Sequence, residues 1–396
     1  MRQISFRYAA VAACLFASVD ATAQSSFLNT SNIEAYCQNA APRQTVVLID
    51  ETIVPAGNDQ WARQILNKLQ FVPRERVQVV KLKPDGAAEQ LFSLCYPQLT
   101  AAEETDIRRR EGVGDRLFGS KLDDVKKARE QFERGFRIAL SSFIQAGKPP
   151  ERMRISASSV PEKSLVESLF YDEKRFAIEN GVSRVVIFSD MLQRSSSIDV
   201  VGSQMDPARL ALDAARRFQI RFNLAEVHVF GIGSSLPASD PLNRKMEAFW
   251  RSYFLKNGAF LEQYSANLSM GETDSFEISR WRGALILRDR HLEASLRVMT
   301  NKGGALFNSW LVIAGVGVLP VSGKFRCGID GTNQCEIDGE LRTNVDPFKE
   351  GDKLQIRGSS QEIKGKLKPP RDDEVFPDGS PAVYEIGFKR DDALKL

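Results

Sequence analysis

Two acidic residues stand at the carboxyl ends of apolar, β-branched runs. Asp50 closes Thr45-Val46-Val47-Leu48-Ile49-Asp50, and Asp190 closes Arg184-Val185-Val186-Ile187-Phe188-Ser189-Asp190. Thr52 follows the first acid closely, and Ser164 opens the helix expected ahead of the second. Two carboxylates and two hydroxyls meeting at one point make an all-oxygen set, the hard-ligand chemistry of Mg²⁺, Mn²⁺ or Ca²⁺. The same residues have a plainer use, because acids at these positions also cap loops and helix amino termini. Which use applies depends on whether the strands bring the two acids to one rim.

The elements that must do so are legible. The two runs read as central strands covered on both faces. Between them come a helix through Trp61, Ile65, Leu66 and Leu69, a strand from Val77 to Leu82, the turn Lys83-Pro84-Asp85-Gly86 and the strand Gln90–Cys95, so that the last two strands form an antiparallel edge hairpin. An amphipathic helix is expected over Leu122–Ile144 and another from about Ser164 to Glu179. After Asp190, a helix from Pro207 to Phe218, a strand from Glu226 to Ile232, a helix from Pro241 to Asn257 and a short strand near Phe260–Tyr264 continue the alternation. Such alternation implies a doubly wound, mostly parallel sheet, whose ligands sit beyond the strand carboxyl ends where strand order reverses.

Together, strand-Asp50-Glu51-Thr52, the hairpin from Val77 to Cys95, the helix start Ser164-Leu165-Val166-Glu167-Ser168-Leu169 and strand-Ser189-Asp190 resemble a von Willebrand factor A-type domain over roughly residues 40–265. The likeness is to the exported bacterial kind. It implies a protein-binding fold with a metal-ion-dependent adhesion site, in which Asp50, Thr52, Ser164 and Asp190 would take the metal-ligand positions. The family pattern Asp-x-Ser-x-Ser is broken here by Val54 in Asp50-Glu51-Thr52-Ile53-Val54, so the site implied is a degenerate one, with Mg²⁺ (or Mn²⁺ or Ca²⁺) as the cation if it is filled.

Other motifs lead elsewhere or nowhere. Gly231-Ile232-Gly233 lacks the third glycine of a dinucleotide fingerprint and reads as a strand exit. His228 and His291 are the only histidines, which excludes a His-rich zinc site and leaves little for acid–base catalysis. Ser189 and Ser195-Ser196-Ser197 sit in no nucleophile elbow. The oxygen-rich stretch Asp330–Gly339 lacks calcium-loop spacing and reads as a hairpin turn, and Arg108-Arg109-Arg110 is flanked by acids as a solvated loop would be. No catalytic residues are assigned.

Beyond about residue 275 the pattern changes to seven short alternating segments: Ala284–Arg288, Ala294–Met299, Ser309–Ala314, Val318–Phe325, Cys335–Leu341, Lys353–Arg357 and Ala382–Phe388. Seven strands at this spacing suggest a smaller, all-β sandwich-like domain, with the polar stretch Gly358–Asp378 as a loop or excursion. The expected organisation is a leader over 1–23, an α/β domain over 24–275 and the β domain over 276–396.

The leader follows from Arg2 and Arg7, the apolar stretch Tyr8–Val19 and the cleavage signal Ala21-Thr22-Ala23; lipidation at Cys14 is the competing reading. Export, to the periplasm or beyond the cell, makes disulfides the expected state of Cys37, Cys95, Cys327 and Cys335. Three connectivities are open, and Cys37–Cys95 with Cys327–Cys335 keeps each bridge inside one domain. With 54 basic and 51 acidic side chains the chain is close to neutral, which calls for neither a nucleic-acid nor a membrane-surface partner. The most apolar later run, Ala305–Val321, is broken by Asn308, Ser309 and glycines, so no transmembrane segment is expected in the mature chain. The leading expectation is an extracytoplasmic module that binds another protein and is not an enzyme. A divalent-metal-assisted hydrolase and a structural cell-envelope component are the alternatives.

Overall fold

In the computed structural model the described residues are 31–38, 40–41, 43–111, 120–146, 159–176, 182–270, 277–287, 290–328, 333–370, 375 and 382–391. The proposed leader, Cys14, the tip of the Asp330–Gly339 stretch and the end of the helix expected to reach Glu179 lie outside them.

After a short helical segment α1 (Ser31–Glu34), the chain runs β1 (Arg43–Asp50), α2 (Gln60–Lys68), β2 (Arg76–Leu82), β3 (Ala88–Cys95), α3 (Ala101–Arg110), α4 (Lys121–Ala146), α5 (Leu165–Tyr171), β4 (Val182–Phe188), α6 (Pro207–Arg217), β5 (Ala225–Phe230), α7 (Pro241–Lys256) and β6 (Ala259–Ser265). The strands form one six-stranded sheet in the order β3-β2-β1-β4-β5-β6. All neighbours are parallel except β2 and β3, which pair antiparallel as the edge hairpin. This is a mixed, mostly parallel α/β sheet of the kind an A-type domain would have. Its order reverses between β1 and β4, the place where doubly wound sheets present their binding crevice.

Strand alternation explains why both faces are covered. Val46 and Leu48 of β1 join Val185, Ile187, Val227 and Val229 in a core under α5, α6 and α7, whereas Val47 and Ile49 join Val79, Val186 and Phe188 under α2 and α4. Trp61 of α2 stacks on Phe188, ring centroids 4.9 Å apart. The helix starts are locally encoded: Thr100 and Glu103 make a capping box, and Asp206 and Asp240 cap helices whose first residues are Pro207 and Pro241. Helix α5 is shorter than expected, ending at Tyr171 and followed by a 3₁₀ turn from Glu173 to Arg175.

The second part corrects the sandwich expectation. Strands β7 (Glu277–Leu287), β8 (Arg290–Thr300), β9 (Ala305–Ile313), β10 (Gly317–Cys327), β11 (Gln334–Leu341), β12 (Lys353–Ser359), β13 (Glu362–Lys368) and β14 (Tyr384–Arg390) close into an eight-stranded antiparallel barrel. The eighth strand is β13, inside the stretch expected to be a loop; it pairs with β12 and β14, and β14 pairs with β7. Closure removes the free edges that a two-sheet arrangement would leave. Leu285, Leu296, Leu311, Leu319, Ile356 and Leu367 are among the side chains that fill the interior.

Disulfides join Cys37 to Cys95 and Cys327 to Cys335. The first ties the segment before β1 to the end of β3, and the second links directly paired positions of β10 and β11. The two parts meet through the outer barrel wall. Arg297 is buried there and donates to the carbonyls of Leu224 (2.6 Å) and Asn223 (3.4 Å), while Trp310 meets Phe260 edge-on. Arg342 lies 4.7 Å over the Phe260 ring and pairs with Glu262.

Candidate functional site at the strand ends

Parallel pairing of β1 with β4 sets Ile49 beside Phe188, so the chain leaves both strands at the same rim. Asp50 and Asp190 are both buried there, 1% and 3% exposed. A third residue joins them. Lys163, itself 3% exposed, places its Nζ 2.8 Å from Asp50 Oδ2 and 2.6 Å from Asp190 Oδ1. Lys163 is held in place by its own backbone, which exchanges both hydrogen bonds with Arg194 (2.7 and 3.1 Å).

The remaining acceptor capacity is filled by short-range donors. Asp50 Oδ1 accepts from the Thr52 amide (3.0 Å) and the Thr52 hydroxyl (2.6 Å), and Asp50 Oδ2 also accepts from the Ser189 hydroxyl (2.8 Å). Asp190 Oδ1 also accepts from the Leu192 amide (3.1 Å), and Asp190 Oδ2 accepts from the Ser235 hydroxyl. Met191, between them, adopts a left-handed backbone (φ 57°) although it is buried and not glycine, which folds the chain back so that Leu192 can reach Asp190.

The electrostatics follow from this geometry. Burial pushes the Asp50 carboxyl up, but the Lys163 charge and the hydrogen bonds from Lys163, Thr52 and Ser189 outweigh it and hold Asp50 below the usual carboxylate range. Burial pulls Lys163 down, yet its attraction to Asp190 and Asp50 wins and its ammonium is held above the usual value.

Of the four residues expected to form the site, the structure unites Asp50, Thr52 and Asp190. Ser164 turns away: its amide donates to the Pro84 carbonyl (3.3 Å), its Cβ faces Gly86 of the β2–β3 turn, and no hydrogen bond joins its hydroxyl to either carboxylate. Val54, where the pattern wanted a hydroxyl, is buried in the core shared with α2 and α4. Gly231 to Gly233 form the exit of β5, with Ser234 Oγ returning 2.7 Å to the Gly231 carbonyl. Lys163 and Ser235 are not marked by any sequence motif, and Ser189 is considered in the sequence only as a nucleophile and not as part of this site. Its place next to Asp190 is the signal for Ser189, whereas a lysine two residues before a helix looks like any solvated side chain.

An ionised carboxylate offers about four lone-pair sites, and Asp50 has four donors on its two oxygens. The ammonium already occupies the space between the carboxylates, so the arrangement does not fit a bound metal ion. Among the described residues no group of three or more His, Cys, Asp or Glu side chains is placed to hold one elsewhere.

Comparison with known proteins adds little to this picture. No protein-family model matches the chain, and no curated protein matches it. Among solved structures it is similar to the ArnB paralog VWA2 from Sulfolobus acidocaldarius, with a TM-score of 0.29 and 9% identity over 81% of this chain and 65% of that one. It is also similar to the human COPII-coat protein Sec24c, with a TM-score of 0.28 and 9% identity over 90% of this chain and 45% of that one. The chain thus spans less than two thirds of either structure. Scores this low carry no argument, and the fold described above rests on its own strand order and pairing.

Proposed function

We propose that this chain is an extracytoplasmic protein-interaction module of degenerate A-type design, which receives another exported protein on the strand-end rim of its sheet. The observation that carries this reading is the Asp50–Lys163–Asp190 cluster. It ties together the loop after β1, the segment before α5, the loop after β4 and, through Ser235, the loop after β5. Loops locked to one another before a partner arrives lose little freedom on binding, which is how a scaffold presents a preorganised recognition face.

The exposed residues of the same loops suit the task. Ala56, Gly57, Ser196, Ser197, Pro237 and Ala238 are all solvent-exposed and short. Side chains of this size have little or no rotamer entropy to lose when covered. The two disulfides are compatible with a periplasmic or secreted setting, and no helix among the described residues is long and apolar enough to cross a membrane.

The test leaves the buried cluster alone. A variant carrying Ala56→Arg, Ser196→Arg and Ala238→Arg is used with the unaltered chain as bait for chemical crosslinking in an extract of exported proteins. Loss of the crosslinked partner at unchanged melting temperature is expected. If the triple variant captures the same partner as well as the parent, the rim is not the docking face.

A further inference from the structure

We infer that Lys163 is the resident cation of the strand-end site: its ammonium takes the place of a divalent metal between Asp50 and Asp190, so that the rim is organised without metal and would accept one only if that ammonium were removed. This stands apart from the docking proposal, because it concerns what holds the rim together and not what lands on it.

Three features support it. The position is the one a metal would need, between two buried carboxylates at the switch point with Thr52, Ser189 and Ser235 hydroxyls on the carboxylates' remaining oxygens. The fit is to an ammonium, since the contacts to Asp50 and Asp190, 2.8 and 2.6 Å, lie close to the charge-assisted N–H···O length of about 2.7–2.9 Å and both exceed the metal–oxygen distance of about 2.0–2.1 Å for Mg²⁺. The charge also works: one ammonium leaves the pair a single negative charge, which three hydroxyls and the Thr52 and Leu192 amides can solvate. Removing the ammonium leaves two adjacent buried carboxylates with hydroxyls around them, which is a vacant hard-cation site.

Mn²⁺ is the probe, followed by the spin-resonance signal of the free ion in titrations of the whole purified chain. The unaltered protein is expected to leave that signal unchanged, and its melting temperature is expected to be the same with and without a chelator. Lys163→Met, which keeps the apolar stem, is expected to take up one Mn²⁺ with a Kd on the order of 10⁻⁴–10⁻³ M and to gain melting temperature on doing so. Adding Asp190→Asn to that variant should abolish both effects. One Mn²⁺ bound by the unaltered chain and lost in Asp50→Asn overturns the inference, as does a folded Lys163→Met variant that binds none. Should Lys163→Met fail to fold even with Mn²⁺ present, the titration and chelator result on the unaltered chain decides the matter by itself.

Discussion

Lys163 Nζ lies 2.8 Å from Asp50 Oδ2 although the two residues are 113 positions apart. The contact closes only when β1 and β4 pair and the segment before α5 folds back along Arg194, so it reports the assembly of the whole rim. Removing one partner of a buried ion pair leaves an uncompensated charge. Lys163→Ala is therefore expected to lose about 3–5 kcal/mol of unfolding free energy in urea, measured without added metal. A loss under about 1 kcal/mol, the range of exposed pairs, would mean that the cluster is solvated in solution.

Acid should attack two buried carboxylates at opposite ends of the sheet. Besides Asp50, Glu75 is fully buried; burial raises it, but Arg43 and Arg184, with hydrogen bonds from Arg43 and Thr45, hold it below its usual range. A depressed carboxylate contributes stability that is complete above its unfolded value, about 4, and is lost as pH falls through the folded one. Lys163 has the opposite sign: its contribution is complete below about 10.4 and is lost as pH rises through its raised folded value. Together these groups give a plateau between roughly pH 5 and 10 with a steep acid limb. Glu75→Gln should flatten that limb in calorimetric melts below pH 4 and also lower the plateau, because Arg43 and Arg184 lose their counter-charge. An acid limb as steep as the parent's would show that Glu75 is not among its causes.

Much of this architecture could be read from residue order. Thr45–Ile49 and Val185–Phe188 are continuous apolar runs because both sheet faces are covered, and Lys83-Pro84-Asp85-Gly86 announced the antiparallel edge. Lys163 was not legible, since nothing local tells a buried lysine from a solvated one; its role is set by two acids that reach it only through tertiary folding. The barrel is hard to read in the sequence for a related reason. In β13 only Ile363 and Leu367 supply apolar bulk to the interior, Gly365 between them adds none, and the intervening lysines make the segment look like a loop. Closure then depends on β14 meeting β7, a pairing about a hundred residues apart in the chain.

The junction between sheet and barrel rests heavily on one guanidinium. Arg297 Nη2 serves the Leu224 carbonyl (2.6 Å) and Asn308 Oδ1 (3.0 Å), and Leu224 and Asn308 both adopt left-handed backbone conformations to meet it. Arg297→Met keeps the stem and abandons those acceptors in a buried setting, at a cost of about 1–3 kcal/mol. Calorimetry is expected to resolve two endotherms in the variant where the parent melts as one unit. Lysine should rescue only partly, because it lacks the planar fork. A single endotherm at the parental temperature in Arg297→Met would relieve Arg297 of this role.

Two barrel glycines in adjacent strands give a sharper contrast. A Cβ on Gly365 of β13 would stand 1.9 Å from the Gln355 carbonyl oxygen and 2.6 Å from the Ile356 Cα, both backbone atoms of β12. A Cβ on Gly387 of β14 would find Lys364 Cγ at 3.5 Å, an ordinary contact with a flexible side chain. Gly365→Ala must therefore push β12 and β13 apart, whereas Gly387→Ala only fills space and reduces unfolded-chain entropy. The first is expected to cost at least about 1–3 kcal/mol in urea unfolding, as overpacking does, and the second to lie within about 1 kcal/mol of the parent on either side. Equal effects of the two substitutions would mean that the close approach of β12 to β13 at Gly365 does not persist in solution.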